Sequence, residues 1–240
     1  LYILVLLVSA VLISLAPSKT KGYITIAATT IMSAIAIVPA IYALNGNNLQ
    51  LFFKGSYLTG EIPLVLDSLS AWFIIVISIT FITSSIYGAK YMEAYLERKS
   101  NLSLHWICFL LTNAGLITIT LIQNSIVFLI AWEIMAVSAF FLVIFEGEKV
   151  KTIKAGMNYL IQSHLVILFL SIAFIWVASV TGSFSFSSIS EFVKTQKPVV
   201  NLFLMFLLFI GFGFKAGFIP FHTWLPHAHP AAHSHISGMM

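Results

Sequence analysis

Long apolar runs parted by short polar stretches make up this chain, and the runs are helix-length rather than strand-length. Seven helices are predicted: Leu1–Ala16, Tyr23–Leu44, Asp67–Tyr87, His105–Ile122, Ser125–Phe145, Ile153–Val180, and a last one opening over Pro198–Ile210. At about 1.5 Å per residue, runs of this size suit a hydrocarbon core about 30 Å thick. The polar breaks are uneven. Asn45–Pro63 is a loop with a short alternating patch at Leu49–Phe53, Gln123 and Asn124 make a minimal turn, and Thr181–Lys197 is Ser- and Gly-containing, a loop or a short surface element. Lys90–Leu104 and Glu146–Thr152 are charged loops. The last run does not end cleanly, because Gly211, Gly213, Gly217 and Pro220 interrupt it.

Composition sharpens this into a class. Sixty per cent of the 240 residues are apolar and 8% are charged, against about 25% charged in soluble domains. The fold class is therefore all-α, a polytopic membrane protein with about seven transmembrane helices, the seventh broken. Leu1–Ala16 lacks a charged leading region and is followed by further spans, so it reads as a helix and not a signal peptide; the start of the protein is expected upstream of Leu1. The only cysteine, Cys108, excludes a disulfide framework and a thiolate metal site. The net charge of +4 requires no nucleic acid, because loop lysines account for it. Eight of the twelve basic residues fall in the first, third and fifth loops (Lys19, Lys21; Lys90, Arg98, Lys99; Lys149, Lys151, Lys154), and three in the other loops. That excess predicts a cytoplasmic-membrane protein with the odd loops inside and the N-terminus outside.

Charge inside the apolar runs is the candidate chemistry. Lys215 stands alone among the glycines of the last run, at an insertion cost of about 2.5–3.5 kcal/mol. It is either an ion-handling residue at a helix break or a lysine snorkelling from a helix end. Glu133 lies mid-run, about 12 Å from either end of its helix, and is either half of a proton-handling pair with Lys215 or a structural ion pair. Lys154, Asn158 and Gln162 recur every four residues, with Ser163 and His164 following. They form a polar face that can pass protons through the imidazole or simply pack helices by hydrogen bonds. Asp67 suits a helix start, where the dipole favours an anion. His222, His227, His229, His233 and His235 invite a metal or haem reading. Against it, Pro226 and Pro230 break the helix that would align them, and a closed zinc site wants four converging ligands.

WEIMAVSAFFLV around Glu133, GFGFKAGFIPFHTWLPHAHPAAHSHISGMM around Lys215, LDSLSAWF at Asp67 and AGMNYLIQSHL at His164 resemble the antiporter-like membrane subunits of the complex I superfamily. These are the subunits of NADH–quinone oxidoreductase, multisubunit Na+/H+ antiporters and energy-converting hydrogenases, and the HTWLPHAHPAAHSHISG stretch is most similar to the hydrogenase-4 and formate hydrogenlyase branch. The resemblance implies inverted helix repeats with broken helices. Residues 1–104 would be an N-terminal three-helix part and 105–240 the first repeat, incomplete at its C-terminus. Glu133, Lys215, His164 and His222 would carry protons (or Na+), with Asp67, Lys154, His229 and His235 secondary. His227 stands where that branch commonly has Glu, and His233 where it commonly has Pro. No cofactor is implied in this chain. The implied partners are other membrane subunits and a hydrophilic redox arm, which would hold any oxidoreductase centre. Family members are longer and carry a second repeat, so a fragment or a split gene product is expected, with a further helix due beyond Met240.

Overall fold

A computed structural model describes residues 1–57, 59–97 and 99–240, with the side chains of Lys99 and Ser100 also left out. Arg98 and the Lys99 side chain, both used in the orientation argument, lie outside the described residues. The helices are α1 (Tyr2–Leu15), α2 (Ser18–Leu44), α3 (Ser68–Tyr91), α4 (Lys99–Leu121), α5 (Ser125–Val143), α6 (Val150–Thr181), α7 (Ser187–Thr195), α8 (Pro198–Ala216), α9 (Leu225–Ala231) and α10 (Ser234–Ser237). Among the described residues six helices, α2 to α6 and α8, are long and apolar enough to cross a membrane, and α1 is a shorter apolar helix of 14 residues.

The first difference from the sequence reading is at Lys21. Pro17 takes an extended backbone and starts α2 at Ser18, so Lys19 and Lys21 belong to a helix rather than to a loop. Lys21 is fully buried. Its ammonium donates to the Ile13 carbonyl and to Ser103 Oγ (2.6 Å), tying α1 and α4 to the base of α2.

The second difference is a β-hairpin inside the loop after α2. Strands β1 (Leu49–Lys54) and β2 (Glu61–Leu66) pair antiparallel, with Leu49 opposite Leu66 and Lys54 opposite Glu61. Pro63 within β2 is tolerated because a two-stranded ribbon is all edge. The hairpin is laced to the α4–α5 turn. Gln123 N donates to the Pro63 carbonyl (2.9 Å), and Asn124 Nδ2 donates to the carbonyls of Thr59 (2.8 Å) and Glu61 (3.2 Å). The same asparagine caps α5 by accepting from the Ile126 and Val127 amides. Ser125 N reaches the Phe184 carbonyl (2.8 Å), and Phe186 N reaches that of Gln123 (3.0 Å). One end of the bundle is thus bound together through backbone groups.

The third feature is the expected break. α8 stops at Gly217, whose left-handed backbone (φ 70°) ends the helix. A turn containing a cis Ile219–Pro220 bond follows, and then α9 and α10 fold back against α6 and α3. The core is centred on Met32, Phe81, Trp106 and Phe109. Between α2 and α3 small residues at Ala36, Ala40, Ala43 and Ala71 let the helices approach closely.

Candidate ion-translocation site

α5, α6 and α8 bring the intramembrane polar residues together. Glu133 sits in the middle of α5 and its Oε1 lies 3.2 Å from His164 Nε2 on α6. His164 Nδ1 is 2.8 Å from the Leu160 carbonyl one turn back; with Nδ1–H donating to that carbonyl, the Nε2–Glu133 contact holds one further proton, on Nε2 or on the carboxyl. The other oxygen, Glu133 Oε2, is buried without a hydrogen bond. Lys215, in the last turn of α8, donates to Tyr159 Oη on α6 (3.1 Å). Its ammonium lies 5.1 Å from the Tyr159 ring centroid and 5.7 Å from that of Trp224, where aromatic faces favour a cation. Trp224 is fixed in turn by donating Nε1–H to the Phe214 carbonyl (2.8 Å).

The direct Glu133–Lys215 pair expected from the sequence is therefore not formed in this structure. Glu133 meets His164, and Lys215 meets Tyr159. Both partners lie on α6 five residues apart, about 7.5 Å along its axis and on different sides of it. Tyr159 escaped the sequence reading because a tyrosine in an apolar helix is ordinary. Its one signal is its place inside the polar recurrence of residues 154, 158 and 162.

That recurrence binds the backbone beyond the break. Asn158 Nδ2 donates to the Thr223 carbonyl (3.1 Å), while Gln162 Nε2 reaches Asn158 Oδ1 (2.9 Å) and Thr223 Oγ1 (2.5 Å). Irregular backbone at membrane depth needs such partners. Lys154, Asn158 and His227 line a cavity of about 690 Å³ together with Lys149, Lys151 and Glu146. Outside the spans, Tyr95 Oη (3.0 Å) and Lys149 hold Glu146 as a carboxylate, below its ordinary range, with Lys149 the stronger influence.

The remaining candidates disperse. His222 is exposed and makes no side-chain hydrogen bond. Asp67 accepts from the Ser70 amide (2.7 Å) as the cap of α3, which holds its carboxyl below the ordinary value. His229 Nδ1 meets Ser237 Oγ (3.1 Å) and its ring stacks on Trp224. His233 and His235 are buried, and His235 Nε2 lies 2.9 Å from Nε2 of His105, a histidine the sequence reading had placed only as the start of a span. Among the described residues no three His, Cys, Asp or Glu side chains converge on a point that could hold a metal ion.

Broken helix, half-buried lysine and mid-helix glutamate define a class, the antiporter-like membrane subunits. Residues 123–240 match the family described as NADH:quinone oxidoreductase/Mrp antiporter, TM. The chain is 36% identical to hydrogenase-4 component B of Escherichia coli over 180 residues, covering 75% of this chain and 26% of that protein. It is 25% identical to NADH-quinone oxidoreductase subunit N of Desulforudis audaxviator, covering 94% of this chain and 44% of the relative. Its fold matches a chain of the Mrp complex from Dietzia sp. DQ12-45-1b with a TM-score of 0.82 at 21% identity, over 98% of this chain and 43% of that one. The chain belongs to the antiporter-like subunits of the complex I superfamily, and it spans less than half the length of these relatives.

Proposed function

We propose that the chain translocates protons across the cytoplasmic membrane as a non-redox subunit of a hydrogenase- or NADH:quinone oxidoreductase-type complex. Electron transfer in a hydrophilic arm and other membrane subunits would drive it. The observation that carries this reading is the pair of polar sites on α6: Glu133 with His164, and Lys215 with Tyr159 at the helix break. A charge at this depth is costly unless the protein uses it.

Glu133 alternates between His164 and Lys215. Next to Lys215 the carboxylate favours the ammonium; next to His164 it leaves that ammonium held only by the Tyr159 phenol and two aromatic rings, from which a proton departs more easily. The odd loops face the cytoplasm and the N-terminus lies outside in this reading, which the distribution of basic residues along the sequence supports.

The test is proton uptake by vesicles carrying the assembled complex, with electron transfer followed in parallel. Lys215→Ala is expected to abolish pumping. Lys215→Arg should nearly do so, since a guanidinium hardly deprotonates. Glu133→Gln should slow pumping by at least about tenfold, the scale of losing a positioned proton-handling group. Omitting sodium should leave wild-type pumping intact; pumping that stops without sodium would assign the cargo as Na+. Full pumping in both Lys215→Ala and Glu133→Gln would end the proposal.

A further inference from the structure

Away from the α5–α6–α8 site, at the end of the bundle that carries Lys90 and Lys149, three imidazoles are packed out of solvent. His105 is 1% exposed, His235 3% and His233 6%. His105 Nε2 and His235 Nε2 are 2.9 Å apart, so one carries a hydrogen and the other accepts it. The Nδ1 atoms of both rings are buried and bonded to nothing. His105 also lines a cavity of about 380 Å³ with Asn101, Leu104, Phe145 and Glu148. On the far side of the pair, Ser237 in the same short helix as His235 meets His229 Nδ1 at 3.1 Å. The His229 ring stacks on Trp224 at 6.3 Å, and Trp224 carries the Lys215 ammonium over its face.

We propose that His105 and His235 are a proton-uptake relay of this chain, taking protons from the cavity beside the start of α4 and handing them toward the Ser237–His229 pair, next to the Trp224 ring over which the Lys215 ammonium lies. The inference rests on the reading of Lys215 as the proton carrier. The proton count is simple. A proton from cavity water binds His105 Nδ1, and the Nε2–H of that ring passes to His235 Nε2. His105 is left neutral as the other tautomer, and His235 releases its own Nδ1–H onward. The steps from His235 to Ser237 and from His229 past Trp224 to Lys215 have no direct hydrogen bond, so each needs an intervening water. One feature fits such a relay better than a purely structural pair: each ring has an unengaged nitrogen on the side away from its partner. Trp106 and Phe145 stand 5.1 and 5.0 Å from His105, and Tyr91 stands 5.8 Å from His235. Gly88 makes the approach possible, because a Cβ there would sit 2.6 Å from the His235 ring.

The experiment compares His105→Gln, His235→Gln, His105→Ala and Lys215→Ala in the assembled complex in vesicles, with assembly followed on native gels. Glutamine keeps a hydrogen bond across the pair but cannot relay a proton. Each glutamine variant is expected to assemble and to pump at least about tenfold more slowly. His105→Ala should be equally slow, and free imidazole, which fits the enlarged cavity, should restore it. Full-rate pumping by both glutamine variants beside a dead Lys215→Ala overturns the relay and leaves the lysine's role standing. Slow pumping in His105→Ala that imidazole does not restore marks a structural role for His105 and also overturns it. Full-rate pumping by Lys215→Ala removes the underlying reading instead.

Discussion

Asp67 shows how much one side chain can fix. Its carboxylate closes the first turn of α3 through the Ser70 amide, directly after strand β2. Asp67→Ala should lower stability by about 0.5–2 kcal/mol, read from the thermal unfolding of the purified protein in detergent. The bond to the amide lowers the folded-state value below the ordinary 3.8. Its contribution is thus present above that ordinary value and is lost as pH falls through the lowered one. Glu133 and Lys215 were legible in the sequence, because a charge inside an apolar run is itself the signal. Their partners were not. Which residue a mid-helix glutamate meets depends on how two helices are rotated, and sequence spacing within one helix does not set that rotation between two. His105 carried no local signal either, since its meaning comes from His235, 130 positions away.

At the scale of elements, apolar run length placed the helices in order, although among the described residues six rather than seven are long enough to cross a membrane and the first is a 14-residue helix, and their ends depended on caps. Lys21 was read as loop because lysines beside a proline look like loop, yet the helix starts before it and buries it. The hairpin went unread because its pairing lies across a loop and Pro63 interrupts the pattern. The break at α8 was legible through its glycines, and one of them is indispensable. Gly217 has a positive φ, and a Cβ there would come within 2.2 Å of Leu225. Gly217→Ala should cost about 1–3 kcal/mol and lower the unfolding midpoint. α10 is expected to respond to pH. Burial depresses the histidine within it, His235, to about 3, and the one that precedes it, His233, less far. The groups facing them are His105, Tyr91, Tyr95, Glu146 and Lys149. A histidine with a lowered folded value takes up its proton more readily when released, so docking of α10 is strongest above the ordinary 6.5 and weakens as pH falls below it. Amide exchange over residues 233–238, corrected for its intrinsic pH dependence, should rise between about pH 7.5 and 5.5. His235→Phe should flatten that rise; an unchanged slope would detach the effect from this ring.

At the scale of the whole molecule, polar and apolar surfaces are oddly mixed on the α5–α6 side. Ile130, Ile161 and Ile175 face outward as a lipid-facing surface would. Yet the Glu133 and His164 side chains among them are 35% and 54% exposed. Hydrocarbon disfavours such a pair, so cover by a further protein surface in the membrane is the expectation to test. A photoreactive amino acid at Ile161 should cross-link to protein in native membranes, and adducts to lipid alone would contradict this. The two ends of the bundle are also held differently. At one end the hairpin, the Gln123–Asn124 turn and the strand-like stretch at Phe184–Phe186 are joined by backbone bonds and the Asn124 side-chain amide, none of which depends on protonation. At the other, α10 is held by imidazoles and rings. Mechanically, the first end is a fulcrum and the second a free arm. A tilt of a few degrees in a helix about 30 Å long moves its far tip by an ångström or two and its near tip hardly at all. Any tilt that pivots on the hairpin end would therefore be largest beside His105 and His235, and labels placed there should register a displacement that the same probes on the hairpin miss.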